Sequence, residues 1–472
     1  MKVFKNLLVA AFLFTFFFLD TGVAAQVCQP EGNWLAVISR RKVRMRVGLH
    51  IEGSEKGLKG YMVSPDQTVE QFPLDKILWT GDSLILSCKK AGLQIRSLMQ
   101  AGCDSLKGLW VQTVTLEVAF ARVESLPDLS RPQEPLPPFP YRTEEVSIPN
   151  KKGGFELSGT LSYPEGDGPF PAVVLISGSG PQNRDEELLG HKPFLLIADF
   201  LTRQGMAVLR YDDRGTGKSG GTFHTANTYD LATDAEAAFA FLLKHPAVSA
   251  DHIGLIGHSE GGMIAPLVAS RNSKVAFIIL LAAPGTSGQQ ILLDQAELIG
   301  RADSVPLEEL NDNLRIARMT YDIIAREKKK EEAGRKIREL IKKETENMSA
   351  EEIAEAGLTE QAINAMVYEL TSDWFSTFVR FNPEVYLKKV RCPVLALNGE
   401  KDLQVPAALN LEGINRALKS GKCPSFEVVA LPDLNHLFQH CATGSPSEYV
   451  KIRETMSPEV LQIMIRWIKE AI

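Results

Sequence analysis

From residue 26 to about residue 125 the chain alternates between apolar and polar positions. Val43-Arg44-Met45-Arg46-Val47 puts apolar and charged side chains on opposite faces, the period of a half-buried strand. Gly81-Asp82 divides Ile77-Leu78-Trp79 from Leu84-Ile85-Leu86, a hairpin signal. The run from Trp110 to Leu116 alternates again, and Gly92 and Gly102 punctuate shorter runs. No helical period of useful length occurs here. Short strands at regular spacing predict a small antiparallel all-β domain over residues 26–125, a barrel or a sandwich.

The pattern then breaks. Pro127, Pro132, Pro135, Pro137, Pro138 and Pro140 fall in one short stretch. Proline fixes φ and cannot donate to a ladder, so residues 126–142 read as an extended linker. Beyond it the period switches. Ala172-Val173-Val174-Leu175-Ile176 is a continuous apolar run, as in a parallel strand buried on both faces. Helical patterns near Phe194–Leu201, from Asp230 to Leu243 and from about Glu260 alternate with strand patterns at Ala207–Tyr211, His252–Ile256 and Ala276–Leu281. This predicts an α/β fold over residues 143–472, a doubly wound, mostly parallel sheet. From about 285 to 381 the alternation stops and the chain is helical and charged, as at Lys328-Lys329-Lys330-Glu331-Glu332. Those charges read as a solvated helix face. Strand patterns resume at Val394–Leu397 and Phe426–Val429, and a last helix covers Pro458 to Ile468. The helical block is thus an insertion, placed where a lid would lie.

Composition narrows the function. The 472 residues are 44% hydrophobic with a formal net charge of −6. That is too apolar for a disordered chain and argues against a nucleic-acid partner, which needs a basic face. The six cysteines show no CxxC and no Cys/His clustering at ligand spacing, which argues against a zinc module. Lys2 and Lys5, the apolar run Leu7–Leu19 and the small residues Val23-Ala24-Ala25 predict a signal peptide over residues 1–25, cleaved before Gln26. Export to the periplasm or the medium is the expectation, with no membrane span after cleavage. The bulky Val27 before Cys28 argues against a lipoprotein. An exported chain admits disulfides. Cys88–Cys103 and Cys423–Cys441 are near enough in sequence to consider, while Cys392 reads as a buried thiol.

Gly257-His258-Ser259-Glu260-Gly261 stands between a strand and a helix. A serine on so sharp a turn needs small neighbours, which Gly257 and Gly261 supply, and its hydroxyl then stands above the sheet. Ser259 is the candidate nucleophile. It needs a base, and His436 lies in the loop after the strand at Phe426, with His440 as the local alternative. The acid that orients the base belongs after the preceding strand. Asp402 is the choice there, with Glu400 and Asp433 as alternatives. The backbone N–H of Glu260, after the nucleophile, and that of Ser179 or Gly178, in the loop after Ile176, would form an oxyanion hole.

These segments carry a resemblance. Ile176-Ser177-Gly178-Ser179-Gly180-Pro181-Gln182-Asn183-Arg184-Asp185, Tyr211-Asp212-Asp213-Arg214-Gly215, Gly257–Gly262, Asn398–Asp402 and Asn435–Gln439 together resemble the α/β-hydrolase superfamily. Residues 143–472 look most like secreted bacterial serine carboxylesterases related to dienelactone hydrolases and the prolyl oligopeptidase catalytic domain. Gly32-Asn33-Trp34, Ser64–Gln67 and Gly108–Gln112 resemble, more weakly, the small β domain that precedes such esterases. The resemblance implies hydrolysis of small-molecule esters of short acyl chains, without cofactor or metal, and a structural part for Asp212 and Arg214. The alternatives are a peptidase of the prolyl oligopeptidase type, or a thioesterase or acyltransferase.

Overall fold

Alternation folds the front of the chain into one antiparallel sheet. The computed structural model describes residues 28–472 except 41–42, 56, 68–69, 128–129 and 422, so the leader expected at 1–25 lies outside the described residues. The strands are β1 (Gly32–Arg40), β2 (Val43–Ser54), β3 (Gly57–Val63), β4 (Gln71–Pro73), β5 (Lys76–Trp79), β6 (Ser83–Cys88), β7 (Leu93–Met99), β8 (Ser105–Val111) and β9 (Thr115–Val123). Their order across the sheet is β4-β3-β2-β1-β9-β8-β7-β6-β5. Leu74 and Asp75 alone separate the two edge strands. The Leu74 N–H donates to Gly60 O of β3 at 3.0 Å, and the Asp75 N–H to Ser87 O of β6 at 2.9 Å. The sheet therefore curls until its edges meet.

Burial alternates along β6 and β7, as the period requires. The inward side chains, among them Trp34, Leu49, Leu84, Ile95 and Phe120, form one core. Each fully buried side chain of this size contributes about 1.5–3 kcal/mol. Two sequence expectations are corrected here. The run Trp110–Leu116 is not one strand: β8 ends at Val111 and β9 starts at Thr115, with the Gln112 N–H donating across the turn to Val114 O. A turn without Gly or Pro leaves the alternation unbroken and so gives no signal. The disulfide is Cys28–Cys103, and Cys88, Cys423 and Cys441 are free thiols, as is the buried Cys392.

The chain divides into two compact units, the first ending near residue 128. The second unit is built on β10 (Arg142–Asn150), β11 (Phe155–Tyr163), β12 (Phe170–Ile176), β13 (Ala207–Tyr211), β14 (Val248–His258), β15 (Ile278–Leu281), β16 (Val394–Gly399) and β17 (Phe426–Leu431). The order is β10-β11-β13-β12-β14-β15-β16-β17. The hairpin β10–β11 pairs antiparallel to the rest, and β13 through β17 run parallel with β12. Strand residues point alternately to the two faces. Val173 and Leu175 pack against α1 (Pro193–Arg203) and, with Leu395 and Leu397, share a core with the C-terminal helix (Pro458–Ala471). Val174 and Ile176 share the opposite core with α2 (Thr228–Leu242) and α3 (Gly261–Ala269). Burial on both faces is why these strands read as unbroken apolar runs.

Between β15 and β16 the chain forms α4 (Gly288–Ala302), α5 (Leu307–Arg326), α6 (Lys330–Glu344), α7 (Ala350–Glu355), α8 (Glu360–Leu370), α9 (Asp373–Arg380) and α10 (Glu384–Leu387). Its charges are spent in exposed pairs such as Arg315–Glu344 and Arg335–Glu339. Helices α11 (Ala407–Gly421) and α12, the C-terminal helix, complete the unit. No helix among the described residues is long and apolar enough to cross a membrane.

Candidate active site

β14 delivers Ser259 into a backbone that few side chains adopt. Its φ is +51°. Such a conformation costs a non-glycine residue about 1–3 kcal/mol, so its surroundings must enforce it. The Ser259 N–H donates to Leu281 O of β15, and the Gly262 N–H donates to Ser259 O, each at 2.9 Å. A Cβ on Gly257 would stand 2.1 Å from Gly261 O, and one on Gly261 would stand 2.1 Å from Ile176 O. Only glycine lets the turn close this tightly.

Asp402 and His436 arrive from the ends of β16 and β17. Asp402 Oδ1 accepts the N–H groups of Gln404 and Val405, each at 2.8 Å. Its Oδ2 accepts Nδ1–H of His436 at 2.8 Å. Both side chains are buried. With Nδ1 committed as a donor, Nε2 is left as the basic nitrogen. Asn435 shapes the histidine turn by accepting the N–H groups of Leu437 and Gln439. The alternatives lie apart. Glu400 is exposed, Asp433 pairs with Lys401 at 2.8 Å, and His440 pairs with Glu454 at 2.8 Å.

Ser259, His436, Ser179 and Gly178 line one cavity of about 400 Å³. Helices α4 and α9 supply Ile291, Leu292, Gln295, Trp374 and Phe378 to its wall. The N–H groups of Ser179 and Glu260 have no protein acceptor among the described residues. Gly178 is corrected: its N–H is already donated to Glu186 Oε1 at 2.7 Å and is not free for an oxyanion. The loop that presents Ser179 is pinned by Asp213, which accepts Ser177 Oγ–H and the Gln182 N–H, each at 2.9 Å. Burial pushes the Asp213 carboxyl up to about 8, against the pull of those two donors. Asp212 and Arg214 enter buried ion pairs with Arg184 at 2.9 Å and Asp234 at 2.7 Å.

Three side chains, those of Glu186, Glu260 and Trp374, make contacts at this site that no local sequence signal announces. Glu186 is buried and contacts His258 Nδ1 at 2.9 Å. The Glu260 side chain lies fully buried, accepting Thr228 Oγ1–H at 2.7 Å and Trp374 Nε1–H at 3.0 Å. Burial raises its pKa, partly offset by those bonds and one from Ser179. Trp374 sits on α9, 114 residues further along the chain than Glu260, where periodicity shows an amphipathic helix and nothing more.

A second cavity of about 390 Å³ lies between α2 and the β10–β11 turn, near Lys151, Phe241 and His245. It holds no nucleophile beside a base. Among the described residues no group of His, Cys, Asp and Glu is placed to hold a metal ion.

Comparison with known proteins bears on the same segment. Residues 193–436, just over half of the chain, match the family described as serine aminopeptidase, S33. Esterase EstD of Thermotoga maritima is 27% identical over 315 residues, which covers 66% of this chain and 65% of EstD. Human mitochondrial acyl-coenzyme A thioesterase 2 is 32% identical over 114 residues, 24% of this chain and 21% of that one. The match spans under two thirds of each of these relatives. Among solved structures, Pyrococcus furiosus esterase Pf2001 aligns over 70% of this chain and 91% of its own, at 18% identity and a TM-score of 0.43. The extent of the family match, over the segment that carries Ser259, Asp402 and His436, places the chain in the serine aminopeptidase S33 family of the α/β-hydrolase superfamily.

Proposed function

We propose that the chain is a serine carboxylesterase working through Ser259, His436 and Asp402. The observation that carries this is that His436, held by Asp402 at 2.8 Å, lines one cavity with a serine set at positive φ. In this reading His436 Nε2 takes the Ser259 proton as Oγ attacks the ester carbonyl. The N–H groups of Ser179 and Glu260 receive the oxyanion. His436 then protonates the leaving alcohol, and water repeats the cycle on the acyl-enzyme. Ser259→Ala in a folded chain is expected to abolish p-nitrophenyl acetate hydrolysis. Wild-type turnover by that variant would overturn the assignment.

The cavity wall supports the substrate class. Its carboxylate, Glu186, is already bonded to His258 and the Gly178 N–H, and the other lining residues are not acidic. An aminopeptidase needs a carboxylate to receive the substrate ammonium, and the one carboxylate on this wall already holds the His258 ring and the Gly178 N–H through Oε1. The family's description nonetheless supports a peptidase as the second reading. Turnover of aminoacyl p-nitroanilides faster than of p-nitrophenyl esters would favour it.

The catalytic unit in this proposal is residues 143–472, with the helical block of 285–381 as its lid. The Trp374–Glu260 bonds support that role, because they join α9 to the residue after the nucleophile. Short acyl chains are the preferred substrates, which a series of p-nitrophenyl esters of rising chain length tests directly. Export is part of the same proposal. The Cys28–Cys103 disulfide supports it, since such bonds persist in oxidising compartments. Recovery of the chain solely from the reduced cytoplasmic fraction would overturn that part.

A further inference from the structure

Besides His436, two histidines of the second unit are buried, and they face different partners. His191 Nδ1 lies 3.1 Å from Thr455 Oγ1, and its Nε2 lies 3.1 Å from Tyr449 O. A hydroxyl can donate, so a neutral ring satisfies both contacts. Burial, and the charge of Arg131, push this imidazole down to about 4.

His258 faces two acceptors. Nδ1 lies 2.9 Å from Glu186 Oε1, and Nε2 lies 3.1 Å from the backbone carbonyl oxygen of His436. A carbonyl oxygen cannot donate, and Glu186 Oε1 also accepts the Gly178 N–H at 2.7 Å. With Glu186 ionised, both ring nitrogens carry protons, which makes the ring an imidazolium. Burial opposes that charge most strongly, but the Glu186 carboxylate, the His436 carbonyl and the Asp402 charge together outweigh it and raise the pKa. Glu186 is itself set at φ +50°, a conformation its surroundings must hold. The result joins three loops. The one after β12 is held through Gly178, the elbow through His258, and the histidine turn through the His436 carbonyl. The two imidazole rings, His258 and His436, have centroids 4.9 Å apart.

We propose that the buried Glu186–His258 ion pair is a positioning device. It fixes the His436 turn and the Ser179 loop relative to Ser259. Glu186 and His258 act through other groups and touch no reacting atom. This rests on the hydrolase reading above. The pair is neutral overall, so it locks geometry without adding net charge beside the base. A misplacement of about 1 Å at such a site costs on the order of 100-fold in rate.

The test uses the full chain. Nitrogen-15 NMR of the histidine rings at pH 7, with His258 assigned by its loss in His258→Gln, is expected to show two protonated nitrogens on that ring. One unprotonated nitrogen there overturns the proposal, and this measurement needs no variant to be active. Glu186→Gln keeps an oxygen for the Gly178 N–H but removes the charge. It is expected to lower kcat for p-nitrophenyl acetate on the order of 100-fold with KM nearly unchanged. The Glu186→Gln/His258→Gln double variant is expected to be no slower than the worse single one, the non-additivity of one coupled unit. Wild-type kcat in Glu186→Gln overturns the positioning role. Should the wild-type chain turn over no ester and Ser259 resist a fluorophosphonate, the hydrolase reading falls and the positioning role with it. A labelled Ser259 beside a singly protonated His258 overturns the ion pair alone.

Discussion

In the front sheet every strand except the edge strand β4 passes to a paired antiparallel neighbour, so successive connections leave from opposite ends. In the second sheet β12, β14, β16 and β17 run parallel and return through helices, so all four finish at one edge. That edge collects the loops bearing Ser179, Ser259, Asp402 and His436. The front sheet has a core as well buried, with Trp34 and Phe120 fully enclosed, yet its connecting turns are divided between two ends. The difference shows that chain return, more than the strands, decides where chemistry accumulates.

The hardest test of that contrast uses two glycines. A Cβ on Gly261 would stand 2.1 Å from Ile176 O, and one on Gly108 would stand 1.9 Å from Arg96 O. Alanine at either position is expected to cost about 3 kcal/mol or more in its own unit. Gly261→Ala should also lose ester turnover, whereas Gly108→Ala should keep it. Differential scanning calorimetry and an ester assay on both variants check this, and loss of turnover in a folded Gly108→Ala breaks the comparison.

Next in size is the disulfide, which belongs to the front sheet. It closes a separation of 75 residues. Cys28→Ser is expected to cost about 3 kcal/mol. Denaturant unfolding should show one transition shifted, with ester turnover at the wild-type level.

A smaller effect concerns pH in the second unit. The folded pKa of His191 is about 4, against 6.5 for a free imidazole. The unfolded chain binds the extra proton, so this contribution is full above pH 6.5 and is lost as pH falls towards 4. The loss is on the order of 2 kcal/mol. His191→Gln should flatten the thermal stability profile in that window, and an unchanged slope refutes the assignment.

Smallest is Trp374→Phe, which keeps the ring but removes the N–H donated to Glu260. It should cost about 1 kcal/mol and change KM for longer acyl esters more than for acetate. Equal effects across the acyl series would show that α9 does not meet the acyl group.

Much of this was legible along the chain. The alternating runs of the front sheet, the apolar runs of the second and the glycine-flanked Ser259 each express a local constraint. Asp402 and His436 follow from strand order, since each lies just past a strand end. The hairpin β10–β11 carries the same kind of signal in Val146, Ile148, Leu157 and Leu161, which alternate into the core. The turn at Gln112–Val114 does not, because its residues continue the period. Cys28, ahead of β1, finds Cys103 in the turn before β8, because β1 pairs with β9 and β9 pairs with β8. Spacing along the chain favours near neighbours and says nothing of that pairing.

Sequence by itself determined the strand and helix periods, the elbow around Ser259, and the residue types on the loops where a base and an acid are needed. Tertiary structure alone decided which buried polar groups meet. It gave the Gly178 N–H to Glu186, set His258 between Glu186 and the His436 carbonyl, and brought Trp374 onto Glu260. The physical reason is that period reports which face a side chain takes. A buried charge or donor is tolerable only when a partner from elsewhere in the chain satisfies it, and that partner is fixed by folding.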